Sequence, residues 1–288
     1  MVDSIRVLVA GATGKQGGEV ARLLLERGHH VVALTRNPTS PAAQRLAERG
    51  ASLATGDLDD RRSLERAADD VDAIFAMSAP FEGGPEGETR QGVNLADVAK
   101  ARSKYLVYTS VGNADRQTGI PHFESKHQVE LHLAKIDAEA AIIAPVYFME
   151  NLLGLGRAAL RQGVYAMTLP PSRKLAQIAV RDIASFAVLA LTEKARFVGK
   201  RVNIGSDELT GVETAEILSR TIGRPIQYRQ TPLSEMRRNE DAARMYEWFE
   251  RVGYTVDLPA LRRDYPEVGW HTFEAWAREQ DWATILGT

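Results

Sequence analysis

The stretch Ile5-Arg-Val-Leu-Val-Ala-Gly-Ala-Thr-Gly-Lys-Gln-Gly-Gly-Glu-Val20 decides the fold. Its apolar run, Val7 to Ala10, reads as a buried strand. Glycines follow at 11, 14 and 17, and a helical pattern then runs through Val20, Leu23 and Leu24. A strand, a tight glycine turn and a helix N-terminus form the arrangement that receives a dinucleotide pyrophosphate. Gly11 permits the turn, Gly14 lets the backbone approach a phosphate, and Gly17 lets the helix lie close to the strand. Thr13, Lys15 and Gln16 complete the turn and are expected beside the cofactor. The spacing is G-x-x-G-x-x-G rather than the G-x-G-x-x-G of many dehydrogenases, so the rest of the chain has to decide between a cofactor turn and a merely glycine-rich one.

Outward from this unit, strand and helix patterns alternate. Strands are predicted at 30–35, 51–55, 71–77, 105–109 and 140–144. Helices are predicted at 41–49, 61–68, 89–102 and 122–135, the last introduced by Pro121. Such alternation means a parallel sheet with helices on both faces. The predicted class is α/β, a Rossmann-type doubly wound parallel sheet with a smaller α+β C-terminal domain. The division is placed at 1–145 and 146–288, the second part interleaved with the first. Beyond Pro145, helices are predicted at 148–162, 181–192, 211–222, 233–251 and 272–279, and strands at 176–179, 201–204 and 226–228.

Bulk composition excludes several function classes. The chain has no cysteine, which removes disulfides, zinc-thiolate sites and thiol chemistry. A net charge of -2 argues against a nucleic-acid footprint. No apolar run approaches the roughly 20 residues of a membrane span, and the N-terminus lacks a signal-peptide pattern. A cytoplasmic location without membrane partners is expected. No H-E-x-x-H or G-x-S-x-G pattern occurs, so no metal site and no hydrolase elbow are expected. The expected partner is a small-molecule substrate or a regulatory protein, and the oligomeric state, a homodimer included, stays open.

Ligands of doubly wound sheets bind at the carboxyl ends of the strands, which singles out Gly11, Arg36, Asp57, Ser78 to Phe81, Ser110 and Tyr147. An NAD-selective site ends its second strand with an acidic residue. Here that place reads Thr35-Arg36-Asn37-Pro38. Arginine would pair with a 2′-phosphate, and Lys15 would add positive charge, so NADP(H) is expected over NAD(H). Asp57 and Leu58, after the third strand, are expected at the adenine, although Asp57 equally suits a helix N-cap. Ser78 and Ala79 are expected at the cofactor.

These residues carry a family resemblance. Gly11-Ala-Thr-Gly-Lys-Gln-Gly-Gly18, Leu34-Thr-Arg-Asn-Pro38, Gly56-Asp-Leu58, Pro121-His-Phe-Glu-Ser-Lys126 and Pro145-Val-Tyr-Phe-Met-Glu-Asn151 resemble the NmrA-like family, atypical members of the short-chain dehydrogenase/reductase superfamily. The resemblance implies an NADP-binding Rossmann domain, a smaller C-terminal domain and a cleft between them. Its members include NADPH-dependent quinone and related reductases and redox-sensing regulators that do not turn the cofactor over.

Ordinary members of the superfamily place a tyrosine four residues before a lysine, on one helix face. The lysine holds the nicotinamide ribose and lowers the tyrosine pKa. Here Lys126 fills the lysine position, but His122 stands where the tyrosine would be. Either His122 replaces the tyrosine as proton donor, or Lys126 survives only to hold ribose and the protein binds cofactor without this proton relay. Ser110 occupies the place of the superfamily's substrate-orienting serine and is expected, with Lys126 and His122, in the catalytic set, although many Rossmann proteins have Ser or Thr there merely for turn chemistry. Phe81, Tyr147, Phe148, Met149 and Asn151 suit an aromatic-lined substrate pocket, Tyr147 also reaching the cofactor. The favoured function is an NADPH-dependent oxidoreductase acting on a small quinone, carbonyl or similar conjugated acceptor. The alternative is a non-catalytic NADP(H) sensor acting through a protein partner.

Overall fold

A computed structural model describes residues 4–78, 83–154, 156–236 and 239–287. Its first half follows the predicted alternation. Strands β1 (Arg6–Val9), β2 (His30–Thr35), β3 (Ser52–Thr55), β4 (Ala73–Ala76), β5 (Tyr105–Thr109) and β6 (Ala140–Pro145) are separated by helices α1 (Lys15–Glu26), α2 (Pro41–Glu48), α3 (Arg61–Ala67), α4 (Gly84–Ala101) and α5 (Pro121–Lys135). The sheet has seven strands, and all its pairings are parallel. Its order runs from an edge strand Arg201–Ile204 through β6, β5, β4, β1 and β2 to β3. The chain builds outward from β1 to β3, then returns to place β4 on the other side of β1. That reversal opens a crevice at the carboxyl ends of β1 and β4, where doubly wound sheets bind ligands.

Both sheet faces are buried, which is why the strands read as continuous apolar runs. Val7, Val9, Val31, Ala33, Phe75 and Val107 pack with α1 and with the helix Val180–Thr192. Leu8, Ala10, Leu34, Ile74, Leu106 and Tyr108 pack with α3, α4 and α5. The alternation of Val7 with Leu8 follows from the period of two along a strand.

The second part of the chain does not stand apart at residue 146. Val180–Thr192 covers one sheet face, and Arg201–Ile204 extends the sheet beside β6. A small sheet of Tyr147–Phe148, Lys174–Ile178 and Asp207–Thr210, a pair of strands Val164–Met167 and Gln227–Gln230, and the C-terminal helices enclose a separate core around Met149, Leu218, Phe249 and Trp276. The single helix predicted over 148–162 is not formed. Tyr147–Phe148 is drawn into strand pairing with Gln177–Ile178, and two short helices, Asn151–Gly154 and Arg157–Arg161, follow. Gly154 and Gly156 interrupt what apolar spacing alone presents as one helix. Among the described residues, no helix is long and apolar enough to cross a membrane.

Candidate functional site

The glycine turn shapes one end of the crevice. Gly11 has φ +67°, the left-handed region that glycine enters without strain, and the turn is closed by a Gly14 N–H to Gly11 carbonyl bond of 2.9 Å. Helix α1 begins after Gly14 with no side-chain cap and no acid in its first turn. Its first amide donors therefore have no intrahelical partner and face the turn, as an anion site requires. A Cβ on Gly17 would lie 2.4 Å from the Gly11 carbonyl oxygen and 2.7 Å from that of Ala10. The helix thus rests directly on the strand.

A cleft of about 350 Å³ continues from this turn, lined by Gly11, Thr13, Arg36, Asp57, Leu58 and Ser78 among others. These sequence-predicted cofactor residues therefore share one surface, with exposed Lys15 at the adjoining helix start. Arg36 is exposed at the end of β2, and its charge reaches Asp59. The Asp59 carboxyl is held below its usual range mainly by hydrogen bonds from Arg90 and Gln91. Asp57 does not cap α3: Asp60 does, accepting from the Arg62 amide, while Asp57 closes a turn by accepting from the Asp59 amide at 2.9 Å. Gln16 departs from expectation, because its side-chain amide is buried and donates to Thr109 Oγ1 at 2.6 Å. Ala79 and Phe81 lie outside the described residues.

Next to Ser78, Lys126 is held by a residue that the sequence reading missed. Glu88 on α4 is 0 % exposed, and its Oε1 lies 2.9 Å from Lys126 Nζ. Lys126 also donates to the Ser78 carbonyl oxygen at 3.2 Å, and the Ser125 hydroxyl donates to the other Glu88 oxygen. The Glu88–Lys126 approach is a charge contact without good hydrogen-bond alignment, which leaves Oε1 an available acceptor. The buried hydroxyls of Ser78 and Tyr108 lie against each other. Lys126, which keeps solvent contact beside the cleft residue Ser78, is the member of this cluster that fits the hydroxyl groups of a dinucleotide. Tyr108 does not stand in for the missing tyrosine. It is fully buried beneath Lys126, and burial, then the Glu88 charge, holds its phenol well above its ordinary pKa.

The signal for Glu88 was present in the helix pattern. It shares the i, i+4, i+7, i+11 row with Gly92, Leu95 and Ala99, all buried, so it lies on the apolar face of α4. A carboxylate there is seldom buried without a cationic partner.

His122 is fixed by the C-terminal region. Its backbone N–H donates to Asp241 Oδ2 at 2.9 Å, and its ring Nδ1 pairs with Asp241 Oδ1. Asp241 lies in the first turn of the helix Glu240–Arg251, 119 positions along the chain, where nothing local announces the contact. Burial pushes the Asp241 carboxyl up, but the hydrogen bond and charge of His122 outweigh it, and the net shift is downward. Because the folded value is depressed, this clasp contributes fully above the ordinary carboxylate value of 3.8 and is lost as pH falls through the lower folded value. Asp241→Asn is expected to cost about 1 kcal/mol at pH 7, the size of a lost helix-end cap. Urea unfolding at pH 7 and near pH 2 checks this, since the difference from the parent protein should shrink at the acid end. An equal difference at both pH values would refute the assignment.

Two expected roles are corrected by packing. Ser110 is 4 % exposed and donates to Glu130, whose other oxygen takes Arg201 Nε at 2.8 Å, so its hydroxyl is committed to tying β5, α5 and the edge strand together. Met149 is 1 % exposed in the second core, and Phe148 packs against the first. Met149 is not free to line a pocket, because the strand pairing at 147–148 turns it inward, while Phe148 stays half-buried. Tyr147 lies beside Tyr246 and Asn151 and packs edge-on against Phe249, and burial pushes its phenol up to about 12. Glu150, between them, holds the Val180 amide and Trp276 Nε1, and burial raises its carboxyl. Among the described residues, no group of His, Cys, Asp and Glu could hold a metal ion.

Comparison with known proteins agrees with this geometry. The family model for the NmrA-like family matches residues 3–277. An NAD(P)H azoreductase of Xenophilus azovorans is 31% identical over 77% of this chain and 76% of its own length. A (4-alkanoyl-5-oxo-2,5-dihydrofuran-3-yl)methyl phosphate reductase of Streptomyces griseus is 31% identical over 78% of this chain and 76% of its own. Among solved structures, NmrA, a negative transcriptional regulator in complex with NADP, superposes with a TM-score of 0.81 at 18% identity, covering 96% of this chain and 95% of that one. A triphenylmethane reductase of Citrobacter complexed with NADP(H) gives 0.75 at 21% identity, over 91% and 94%.

Proposed function

Starting from the fact that this chain belongs to the NmrA-like family and has its NAD(P)-binding, Rossmann-type fold, we propose that it is an NADPH-dependent oxidoreductase reducing a small quinone, carbonyl or similar conjugated acceptor. The observation that carries this reading is the cleft that runs from the glycine turn past Arg36 to Ser78, whose carbonyl oxygen accepts from Lys126. The named activities of the two reductase relatives support the same class.

When bound, the nicotinamide supplies hydride to the acceptor. The protein's share is to hold the dinucleotide and manage a proton. The N-terminus of α1 and Lys15 receive the pyrophosphate, and Arg36 takes the 2′-phosphate. Lys126, its charge balanced by Glu88, and the Ser78 hydroxyl hold the ribose and its neighbouring polar groups. His122 is the proton donor. Asp241 occupies Nδ1 and leaves Nε2 as the ring position with no partner among the described residues. A carboxylate on Nδ1 fixes the tautomer and stabilises the imidazolium that gives up a proton from Nε2.

Arg36→Ala is expected to weaken NADPH binding roughly tenfold to a hundredfold, the worth of one or two charge-assisted bonds, and to leave NADH unchanged. Equal losses for both, or tighter NADH binding by the parent protein, would overturn the NADP preference. The oxidoreductase reading is tested by NADPH oxidation against a panel of quinones and carbonyls, with His122→Phe as control. Turnover that falls in His122→Phe supports it, and unaltered turnover removes His122 from the mechanism. A second reading, a dinucleotide-sensing regulator, is favoured by one observation: the superfamily tyrosine is absent and Ser110 is tied to Glu130. Tight NADPH binding without turnover on any acceptor would establish that reading instead.

A further inference from the structure

A second and larger cavity, about 550 Å³, opens between the loop after β5 and the helix Glu240–Arg251. It shares no lining residue with the dinucleotide cleft. Arg116, Arg244 and Arg251 line it against a single carboxylate, Glu247. Arg244 is engaged, donating to the Gly119 carbonyl at 3.3 Å and pairing with Glu240. Arg116 and Arg251 have no ion pair or side-chain hydrogen bond among the described residues, although other arginines of this chain, such as Arg22 and Arg196, do find carboxylates. Two exposed guanidiniums without a carboxylate partner line one space, and an anion held there would have both as charge-assisted donors.

The cavity also has an apolar wall. Trp248 lines it, with its ring steadied from behind by Phe123 and Tyr254 at centroid distances of 6.1 and 5.8 Å. Its indole N–H has no partner among the described residues, and Val252 beside it is 58% exposed. The facing loop is held rigid. Asn113 and Gln117 are in left-handed backbone conformations, and the Asn113 side chain takes the Thr255 amide at 2.8 Å. An aromatic ring already held by its neighbours loses little entropy on binding a flat ligand.

We propose that this cavity is a second ligand site, separate from the dinucleotide cleft, that takes a small aromatic anion. Arg116 and Arg251 hold its carboxylate, sulfonate or phosphate, and Trp248 with Val252 takes its flat apolar body. The whole chain titrated calorimetrically with 2-naphthoate, with and without saturating NADP+, tests this, using 2-naphthamide as the uncharged probe. The expected result is one binding event that NADP+ does not displace, that weakens with added salt, and that exceeds 2-naphthamide binding. Arg116→Ala/Arg251→Ala should weaken 2-naphthoate about tenfold or more with unchanged thermal unfolding. Absence of binding, displacement by NADP+, equal affinity for the amide, or an unweakened double variant would each overturn the proposal. The parent–variant comparison stands whether or not NADP+ is the natural cofactor.

Discussion

Lys126→Met is expected to lower the unfolding free energy by about 3 kcal/mol, and adding Glu88→Gln should restore a large part of that loss. The single change leaves Glu88, fully buried on the apolar face of α4, with only the Ser125 hydroxyl as a fixed partner. Removing one member of a buried ion pair typically costs ~3–5 kcal/mol, because the other is left charged without a counterion. Lys126 retains some solvent contact, which places the expectation at the low end of that range. Lys126→Met combined with Glu88→Gln puts two neutral side chains in place of the pair, which removes the stranded charge and keeps the volume. Urea unfolding of the parent, both single variants and the double variant gives the coupling directly. Additive losses would show that Glu88 and Lys126 do not depend on each other. The cycle also bears on the proposed activity, since any loss of turnover in a Lys126 single variant would mix the proposed ribose contact with a destabilised α4. The double variant separates the two.

The second large effect is expected at Gly17. An alanine Cβ there would meet backbone oxygens at 2.4 and 2.7 Å, and backbone cannot rotate away as a side chain can. Helix α1 would have to lift from β1, taking its free amides with it. Gly17→Ala should cost about 3 kcal/mol, the upper part of the range for overpacked cores, and should reduce dinucleotide affinity at least about tenfold through the displaced helix N-terminus. Gly14→Ala is the internal control. Its Cβ would meet one oxygen at 3.3 Å, and its φ of -94° is open to any residue, so its stability should change by under about 1 kcal/mol. Thermal unfolding with and without NADPH measures both effects. A Gly17 variant as stable as the Gly14 variant would show that helix and strand can separate freely.

The features readable in the chain were those encoded locally. Val7–Ala10, the glycines at 11, 14 and 17, and Pro121 at a helix start depend on neighbours within a few residues, and the structure forms each of them. Arg36 was legible because a strand end follows directly from the strand. Partners brought together across the fold were not. Glu88 meets Lys126 only after α4 and α5 pack side by side, and Asp241 reaches His122 from the far end of the chain. Met149 misled for the complementary reason. Its position after β6 promised the cleft, but pairing of Tyr147–Phe148 with Lys174–Ile178 rotated it into the second core. Ser110 stands at the expected strand end, and only the Glu130–Arg201 pair shows that its hydroxyl is already taken.

The strand order also carries a consequence for how the molecule is made. Residues 11 to 126 hold the glycine turn, Arg36, Ser78, Glu88 and Lys126, so the groups of the candidate site are made before the strand that completes the sheet. The edge of the sheet beside β6 stays uncovered until Arg201–Ile204 emerges some time later. During that interval Ala140–Pro145, an apolar strand, presents unpaired backbone groups, the kind of edge that recruits other chains. A fragment ending shortly after residue 150 would keep that exposed edge permanently, however complete its cofactor cleft. The nascent chain, in contrast, acquires its own cover from the later segment that also brings Asp182 and the Val180–Thr192 helix onto the sheet.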